Sequence, residues 1–399
     1  AVAAGRFKGG AARAAAQVPE EARDVSPAWL GRVLERAQLL EPGDALESIR
    51  VRGVDIPGYL SDTVRVDVVP APNRAKAGGG DGADDDADEE ASPFSLDRTA
   101  SGRPAGCPRS VVVKLPPVEE GNKAAAADIN AQEAEFLFYR RLHPVLCERL
   151  AAEHGAEAPL PRCLHAAVDP QRDLWVLVLE DVTLRPGAWE VGCQVQGLSW
   201  ERTVAASVAI AQYQAPFWGE RAADLGDWVP HTNEILLADV AQAVRDGSFE
   251  AWKASHWPAR GQVCAGAIAK AEEIAANVDV LARLLRRPPQ TLVHHDTRAD
   301  NMLFGPAGDG GGLQAVVLDW QMVGRGLGPI DVARMQAANV LPGQVESADL
   351  HRRAVEVYHA ELTRLLPAEA AEAYPLERCW HDYLVGCAWL LWQGVLFAS

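Results

Sequence analysis

Apolar and polar positions along the chain follow two periods, and the periods change at readable places. In SPAWLGRVLERAQLL, residues 26–40, apolar side chains recur at three- and four-residue spacing. Ser26 stands at the N-cap position and Pro27 at the first helical position, so a helix is predicted. LESIRVRGVDI and DTVRVDVV follow, with Val64, Val66 and Val68 alternating with polar neighbours as in a half-buried strand. SVVVKLPP is a short apolar strand with one cation, Lys114. A helix is expected over about Ala124 to Leu142, with Ile129, Phe136 and Tyr139 on a helical period, and LWVLVLEDV reads as another buried strand. From Glu201 the spacing is helical over 201–215, 262–285, 331–340, 350–365 and 376–398. One strand-rich island, TLVHHDTRADNMLFGPAGDGGGLQAVVLDW, interrupts it.

The order of elements is strands with one helix, then helices with one hairpin. It predicts an α+β protein, a small lobe followed by a larger helical lobe. Length agrees: 399 residues, 48% hydrophobic and 23% charged, can build one large domain or two lobes. The expected boundaries are a disordered tail over 1–25, an N-terminal lobe over 26–182 and a C-terminal lobe over 183–399. Residues 71–108 break the first lobe. From Asp81 to Glu90 seven of ten residues are acidic, a composition that cannot bury apolar surface and reads as a disordered insertion.

Charge narrows the partners. With 38 Lys and Arg against 55 Asp and Glu, the net charge is −17, which argues against nucleic acid as a partner. No apolar run reaches the ~20 residues of a membrane helix. Seven scattered cysteines without a Cys-x-x-Cys pair point to reduced thiols in a cytoplasmic compartment. The basic, Ala-rich residues AVAAGRFKGGAARAAAQ leave an organellar transit remnant as the other reading.

The island carries the chemistry. His294, Asp296 and Asn301 stand as H-x-D-x-x-x-x-N, and Asp319 ends AVVLD. If NMLF and AVVLD pair as a hairpin, its open end brings Asn301 beside Asp319. An amide oxygen and a carboxylate are hard ligands that suit Mg²⁺, with phosphate oxygens completing its shell. Asp296, one loop away, is placed to accept a proton from a hydroxyl nucleophile. Lys114 supplies a cation for phosphates. A lysine in an apolar strand needs a carboxylate, and the following helix offers Glu133 and Glu135.

These pieces resemble the aminoglycoside phosphotransferase / choline kinase superfamily, and within it the ecdysteroid-kinase-like branch. The resemblance rests on SPAWLGRVL, PRSVVVKLPP, EAEFLFYRRL, LWVLVLEDV, TLVHHDTRADNMLF, VVLDWQMVGRGLGPIDVA and WHDYLVG, from about residue 26 to near the C-terminus. It implies a protein-kinase-like two-lobed fold: a small antiparallel-sheet lobe plus one helix, and a mainly helical C-terminal lobe. It implies ATP and Mg²⁺, and a small-molecule alcohol as acceptor. By position, Lys114 would hold the α- and β-phosphates and Glu135 would pair with it. Gly58 and Ser61 in GYLSD would form the phosphate loop. Glu180 to Val182 would be the hinge that meets adenine. Asp296 would be the base, and Asn301 and Asp319 the Mg²⁺ ligands. Asp331 would tie the catalytic loop to the helical lobe, and His294 would orient that loop.

The chain departs from the family at three places. His295 stands where the family has glycine, GYLSD holds one glycine, and Gln214 replaces a frequent histidine. Arg298 and Asp300 read as a local ion pair. Trp218, Trp380, Trp389 and Trp392 read as helical core. A catalytically silent kinase-like ligand-binding protein is the second function class. A protein kinase is disfavoured, because the chain has DWQ for D-F-G and lacks A-P-E and G-x-G-x-x-G segments.

Overall fold

The computed structural model describes residues 18–54, 61–71, 106–119, 121, 131–172, 174–234, 242, 246–248, 250–251, 265–308, 311–339 and 348–397. Two compact units result, Ala1–Arg140 with Pro161–Trp189, and Arg141–Leu160 with Glu190–Ser399.

The N-terminal unit is built on one antiparallel sheet. Its strands β1 (Leu46–Gly53), β2 (Asp62–Pro70), β3 (Ser110–Leu115), β4 (Cys163–Asp169) and β5 (Leu174–Glu180) stand in the order β1-β2-β3-β5-β4. Helix α1 (Pro27–Arg36) begins as the sequence dictates: the Ser26 hydroxyl accepts the Trp29 N–H at 3.2 Å, and Pro27 costs no helical hydrogen bond. Its buried face, Trp29, Leu30, Val33 and Leu34, shares a core with Val64, Val66 and Val68 of β2 and Val111, Val113 and Leu115 of β3. Each such side chain contributes roughly 1.5–3 kcal/mol. The two-residue period puts Lys114 on the opposite sheet face, where helix α2 (Ala131–Leu137) supplies its partner.

Three expectations are corrected here. The disordered tail was expected to extend to residue 25, yet Val18 and Val25 are buried and Ala22–Asp24 form a 3₁₀ turn. The helix ending near Leu142 becomes α2 and a π-turn, Phe138–Leu142; residues 122–130 lie outside the described residues. The boundary at 182/183 is also more complex, because helix α3 (His143–His154) belongs to the C-terminal unit. Of the acidic insertion, 72–105 lie outside the described residues.

In the C-terminal unit the chain runs through β6 (Glu190–Val191), α4 (Trp200–Gln214), α5 (Ala265–Ala276) and α6 (Val278–Leu285). The island follows as β7 (Thr291–Val293), β8 (Met302–Pro306), β9 (Leu313–Val317) and β10 (Gly324–Gly326). Helices α7 (Pro329–Asn339), α8 (Ala348–Leu365), α9 (Ala368–Glu372) and α10 (Leu376–Phe397) complete it. Helix α4 packs on α8 and α7 on α10. Trp389 of α10 is buried as its helical spacing predicts; Trp218 is buried too but sits in extended backbone between two 3₁₀ turns, and Trp380 is half-buried. Among the described residues no helix is long and apolar enough to cross a membrane.

Candidate active site

The N-terminal unit holds one half of the expected residues. Lys114 Nζ lies 2.7 Å from both carboxylate oxygens of Glu135, and both side chains are buried. Of the two candidate glutamates, Glu135 reaches the lysine. A buried ammonium is tolerated only against such a countercharge. Thr63 is the cross-strand partner of Lys114, and its hydroxyl is 3.1 Å from that of buried Ser61. Gly58 lies outside the described residues.

At the end of β5, the Glu180 carboxylate takes Arg185 at 2.8 Å and the Arg162 N–H at 3.0 Å. Val182 opens a 3₁₀ turn and its carbonyl accepts from Arg185 N–H at 3.1 Å. Between them, Asp181 is buried, accepts from Ser110, from Thr183 and from Arg65 Nη2 at 3.5 Å, and forms an ion pair with Arg65, whose Nε lies 3.0 Å away. This network was not read from the sequence.

The C-terminal unit holds the other half. β8 and β9 form an antiparallel hairpin in which Met302 faces Val317. At its open end Leu318 N–H donates to the Asn301 carbonyl at 2.8 Å, so Asn301 sits beside the strand end that carries Asp319. Asn301 spends Nδ2 on Asp296, 2.9 Å to its carbonyl and 3.0 Å to Oδ2, leaving Oδ1 as an acceptor. Asp319 adopts a left-handed backbone, φ 65° and ψ 67°, and takes the Gln321 amide on Oδ1. A short polar side chain tolerates that conformation better than a branched one. The donor set is an amide oxygen and a carboxylate. That chemistry fits Mg²⁺, which is held by few protein oxygens and completes its shell with water and phosphate.

The loop before Asn301 is fastened from several sides. His294 is buried; its Nδ1 accepts the Asp296 N–H at 3.1 Å and its Nε2 donates to the Leu318 carbonyl at 2.7 Å. One imidazole thus joins the Asp296 loop to the strand end before Asp319. Asp331, at the start of α7, is fully buried. It accepts the N–H of His294 and of His295 at 2.8 Å, the Tyr213 hydroxyl at 2.6 Å and Gln214 Nε2 at 3.1 Å. Burial and this carboxylate push the Tyr213 phenol well above its ordinary range. Gln214 also donates to the Gly328 carbonyl and accepts from Tyr358. A Cβ at Gly328 would collide with both Tyr358 and Gln214, which explains the glycine. The Gln214 amide therefore ties α4 to α7 and α8.

His295 has φ 65°, in the left-handed region. That geometry favours glycine, the residue that the resemblance leads one to expect there. The side chain is not turned on solvent. It is buried, its Nδ1 lies 2.9 Å from the Met322 carbonyl and its Nε2 2.9 Å from Thr232 Oγ1. Burial holds its pKa below the ordinary histidine value.

Two arginines were missed as site residues. Arg334 of α7 donates to Asp296 Oδ1 at 2.8 Å, and Arg298 Nε lies 3.3 Å from Oδ2. The expected Arg298–Asp300 pair is corrected: Arg298 faces Asp296, and Asp300 accepts the Gln194 N–H at 2.9 Å. A signal was available for Arg334, since a residue three after Asp331 shares its helix face. Asn339 was also missed; its Oδ1 accepts the Ala299 N–H of the loop at 2.7 Å.

With this geometry in place, the chain can be set beside known families. Residues 97–216 match the model of the ecdysteroid kinase-like family. The resemblance read from the sequence is borne out over that segment, which runs from the end of the acidic insertion through α4. Solved structures align over most of the chain at low identity. A microcompartment-associated aminopropanol kinase is 13% identical, covering 88% of this chain and 86% of that one, with a TM-score of 0.41. A Plasmodium vivax ethanolamine kinase is 9% identical, covering 91% and 86%, with a TM-score of 0.41. An aminoglycoside-3'-phosphotransferase of type VIII is 17% identical, covering 69% and 85%, with a TM-score of 0.33. No curated protein matches the chain.

Proposed function

We propose that this protein is an ATP- and Mg²⁺-dependent phosphotransferase acting on a hydroxyl group of a small molecule. The observation that carries the reading is the hydrogen bond from Asn301 Nδ2 to the Asp296 carboxylate, at the open end of the hairpin that leads to Asp319. In this reading the bond would orient the base against a side chain whose oxygen remains free as a hard donor. The match to a kinase-like family over residues 97–216 supports it.

In this reading the acceptor oxygen forms a bond to the γ-phosphorus of ATP as the bond to the β,γ-bridging oxygen breaks. ADP leaves, and the hydroxyl proton passes to Asp296. Mg²⁺, when bound through Asn301 Oδ1 and Asp319, supplies charge neutralisation for the phosphates. In the N-terminal unit, Lys114, held by Glu135, would be a cation available to phosphate. Asp331, His294 and Asn339 keep the loop in one geometry, so catalysis rests on positioning and electrostatics.

The test is Asp296→Asn. Turnover of ATP with an alcohol panel should fall by about 10²–10⁴-fold while nucleotide binding persists. A folded variant that loses nucleotide binding, or that keeps full turnover, contradicts the assignment.

A further inference from the structure

A cavity of about 100 Å³ lies within the C-terminal unit, between the start of α4, the second half of α7 and the first turn of α8. Leu198, Trp200, Met335 and Leu350 give it apolar walls. The Arg353 guanidinium lies over the Trp200 ring, 4.3 Å from its centroid, and holds that wall in place. An apolar cavity of roughly 150 Å³ can take up benzene, so this one has room for a body of about four carbons.

The cavity is distinct from the proposed phosphoryl-transfer site. On α7, Asp331 and Arg334 face the loop that carries Asp296, whereas Met335, Gln336 and Asn339 point roughly a third of a turn away. Asn339 belongs to both surroundings. It lines the cavity, its Oδ1 accepts the Ala299 N–H at 2.7 Å, and its Nδ2 donates to the Met335 carbonyl at 2.6 Å.

Gln336 is the anomaly in the wall. It is 4% exposed, and its Nε2 makes one long contact, 3.4 Å to the His351 carbonyl. Its Oε1 accepts no hydrogen bond among the described residues. A buried amide oxygen left in that state is costly. His351, also in the wall, engages Nδ1 with the Tyr383 hydroxyl at 3.0 Å, and its Nε2 has no partner among the described residues. Burial lowers the His351 pKa below its ordinary value, so the ring is neutral at pH 7. A phenol donating to Nδ1 puts the ring proton on Nε2.

The polar features are therefore one acceptor and one donor in an apolar wall. Among the described residues no lining side chain is charged. A hydroxyl can serve both, donating to Gln336 Oε1 and accepting from His351 Nε2. An ammonium or a carboxylate would give up its hydration without a countercharge. A water would meet the polar end alone, whereas an alcohol also covers the apolar walls. We propose that this cavity is a second ligand site, for an uncharged alcohol with a short apolar body, and that its occupant steadies the Asp296 loop through Asn339. No lining residue touches the reacting atoms in the reading above, and the site is tested without nucleotide.

The full-length protein is titrated with butan-1-ol, butanoate and butylammonium while the indole N–H resonance of Trp200, identified by Trp200→Phe, is followed. Butan-1-ol should give a saturable shift, and the two ions at the same concentrations should give none. Gln336→Met keeps the volume and loses the acceptor, so the Kd should rise about tenfold. Leu350→Trp adds bulk to the wall and should abolish the shift. In amide hydrogen exchange, butan-1-ol at about three times its Kd should slow exchange over residues 297–301 by about fourfold in the parent protein, and leave it unchanged in Leu350→Trp.

A shift that grows linearly without saturating overturns the site. So does a Kd unchanged in Gln336→Met, or an equal response to either ion. Unchanged exchange over 297–301, at a concentration that saturates the indole shift, overturns the link to the loop.

Discussion

Asn301 donates from one nitrogen to both the carbonyl, at 2.9 Å, and the carboxylate, at 3.0 Å, of Asp296. The side chain thereby orients the proposed base and aims its own oxygen away from it. Two substitutions separate these tasks. Asn301→Asp keeps an oxygen ligand but sets a carboxylate against Asp296. Turnover should fall by about 10²-fold while the Mg²⁺ concentration for half-maximal rate stays similar. Asn301→Ala should weaken both. A Mg²⁺ titration of turnover in the two variants distinguishes them.

The buried pair of Lys114 and Glu135 makes an asymmetric prediction. Removing one partner strands the other charge in an apolar sheet face. Glu135→Gln and Lys114→Met should each destabilise, and the first by more, since it leaves the lysine buried without its carboxylate. A loss of about 3–5 kcal/mol is expected for it in urea unfolding. The double variant should recover part of this loss; additive losses would show that the pair is not coupled.

His295 offers a test of backbone strain. At φ 65° a side chain costs about 1–2 kcal/mol that glycine avoids. The imidazole offsets this through its contacts to Met322 and Thr232. Both His295→Ala and His295→Gly lose those contacts, but only alanine keeps the strain. The glycine variant should therefore be the more stable of the two, the reverse of the usual order. Equal stabilities would mean that the loop relaxes once the imidazole is gone.

Much of this was legible in the sequence because its causes are local. The alternation of Val64, Val66 and Val68 fixed which face of β2 is buried. Ser26 and Pro27 marked the start of α1. The Gly-rich turn between two apolar runs announced the hairpin that sets Asn301 beside the Asp319 strand end. Residues 262–285 read as one helix but divide at Asn277 into α5 and α6. What stayed hidden depends on tertiary contact. Arg334 looks like any helix arginine until α7 is docked under the loop by Asp331. Asp181 is only the middle of the expected hinge segment until β2 and β3 bring Arg65 and Ser110 to it. His295 reads as a departure from an expected glycine, and only the backbone angle and its two partners show a tether.

A pH prediction concerns the N-terminal unit. His165 of β4 packs edge-on against Trp29, with ring centroids 6.0 Å apart. Burial, helped by Arg36 and Arg140, lowers its pKa from 6.5 to about 4. The unfolded chain therefore binds a proton at a higher pH than the folded one. This stabilising term is complete above about 6.5 and is lost progressively as pH falls towards about 4. His165→Phe should flatten the dependence of the urea midpoint between pH 7 and pH 5, relative to the parent protein. An unchanged slope would assign the acid sensitivity to other groups.

The central claim is that Asp319 and Asn301 hold a metal that serves a nucleotide. The most direct measurement is the melting temperature with and without Mg²⁺-ATP, for the protein and for Asp319→Ala. A ligand at about 100 times its Kd adds about 2.7 kcal/mol of stability, which a thermal scan resolves. The account predicts a rise that requires Mg²⁺ and disappears in Asp319→Ala. No rise in the parent protein, or a rise of equal size in the variant, would contradict it.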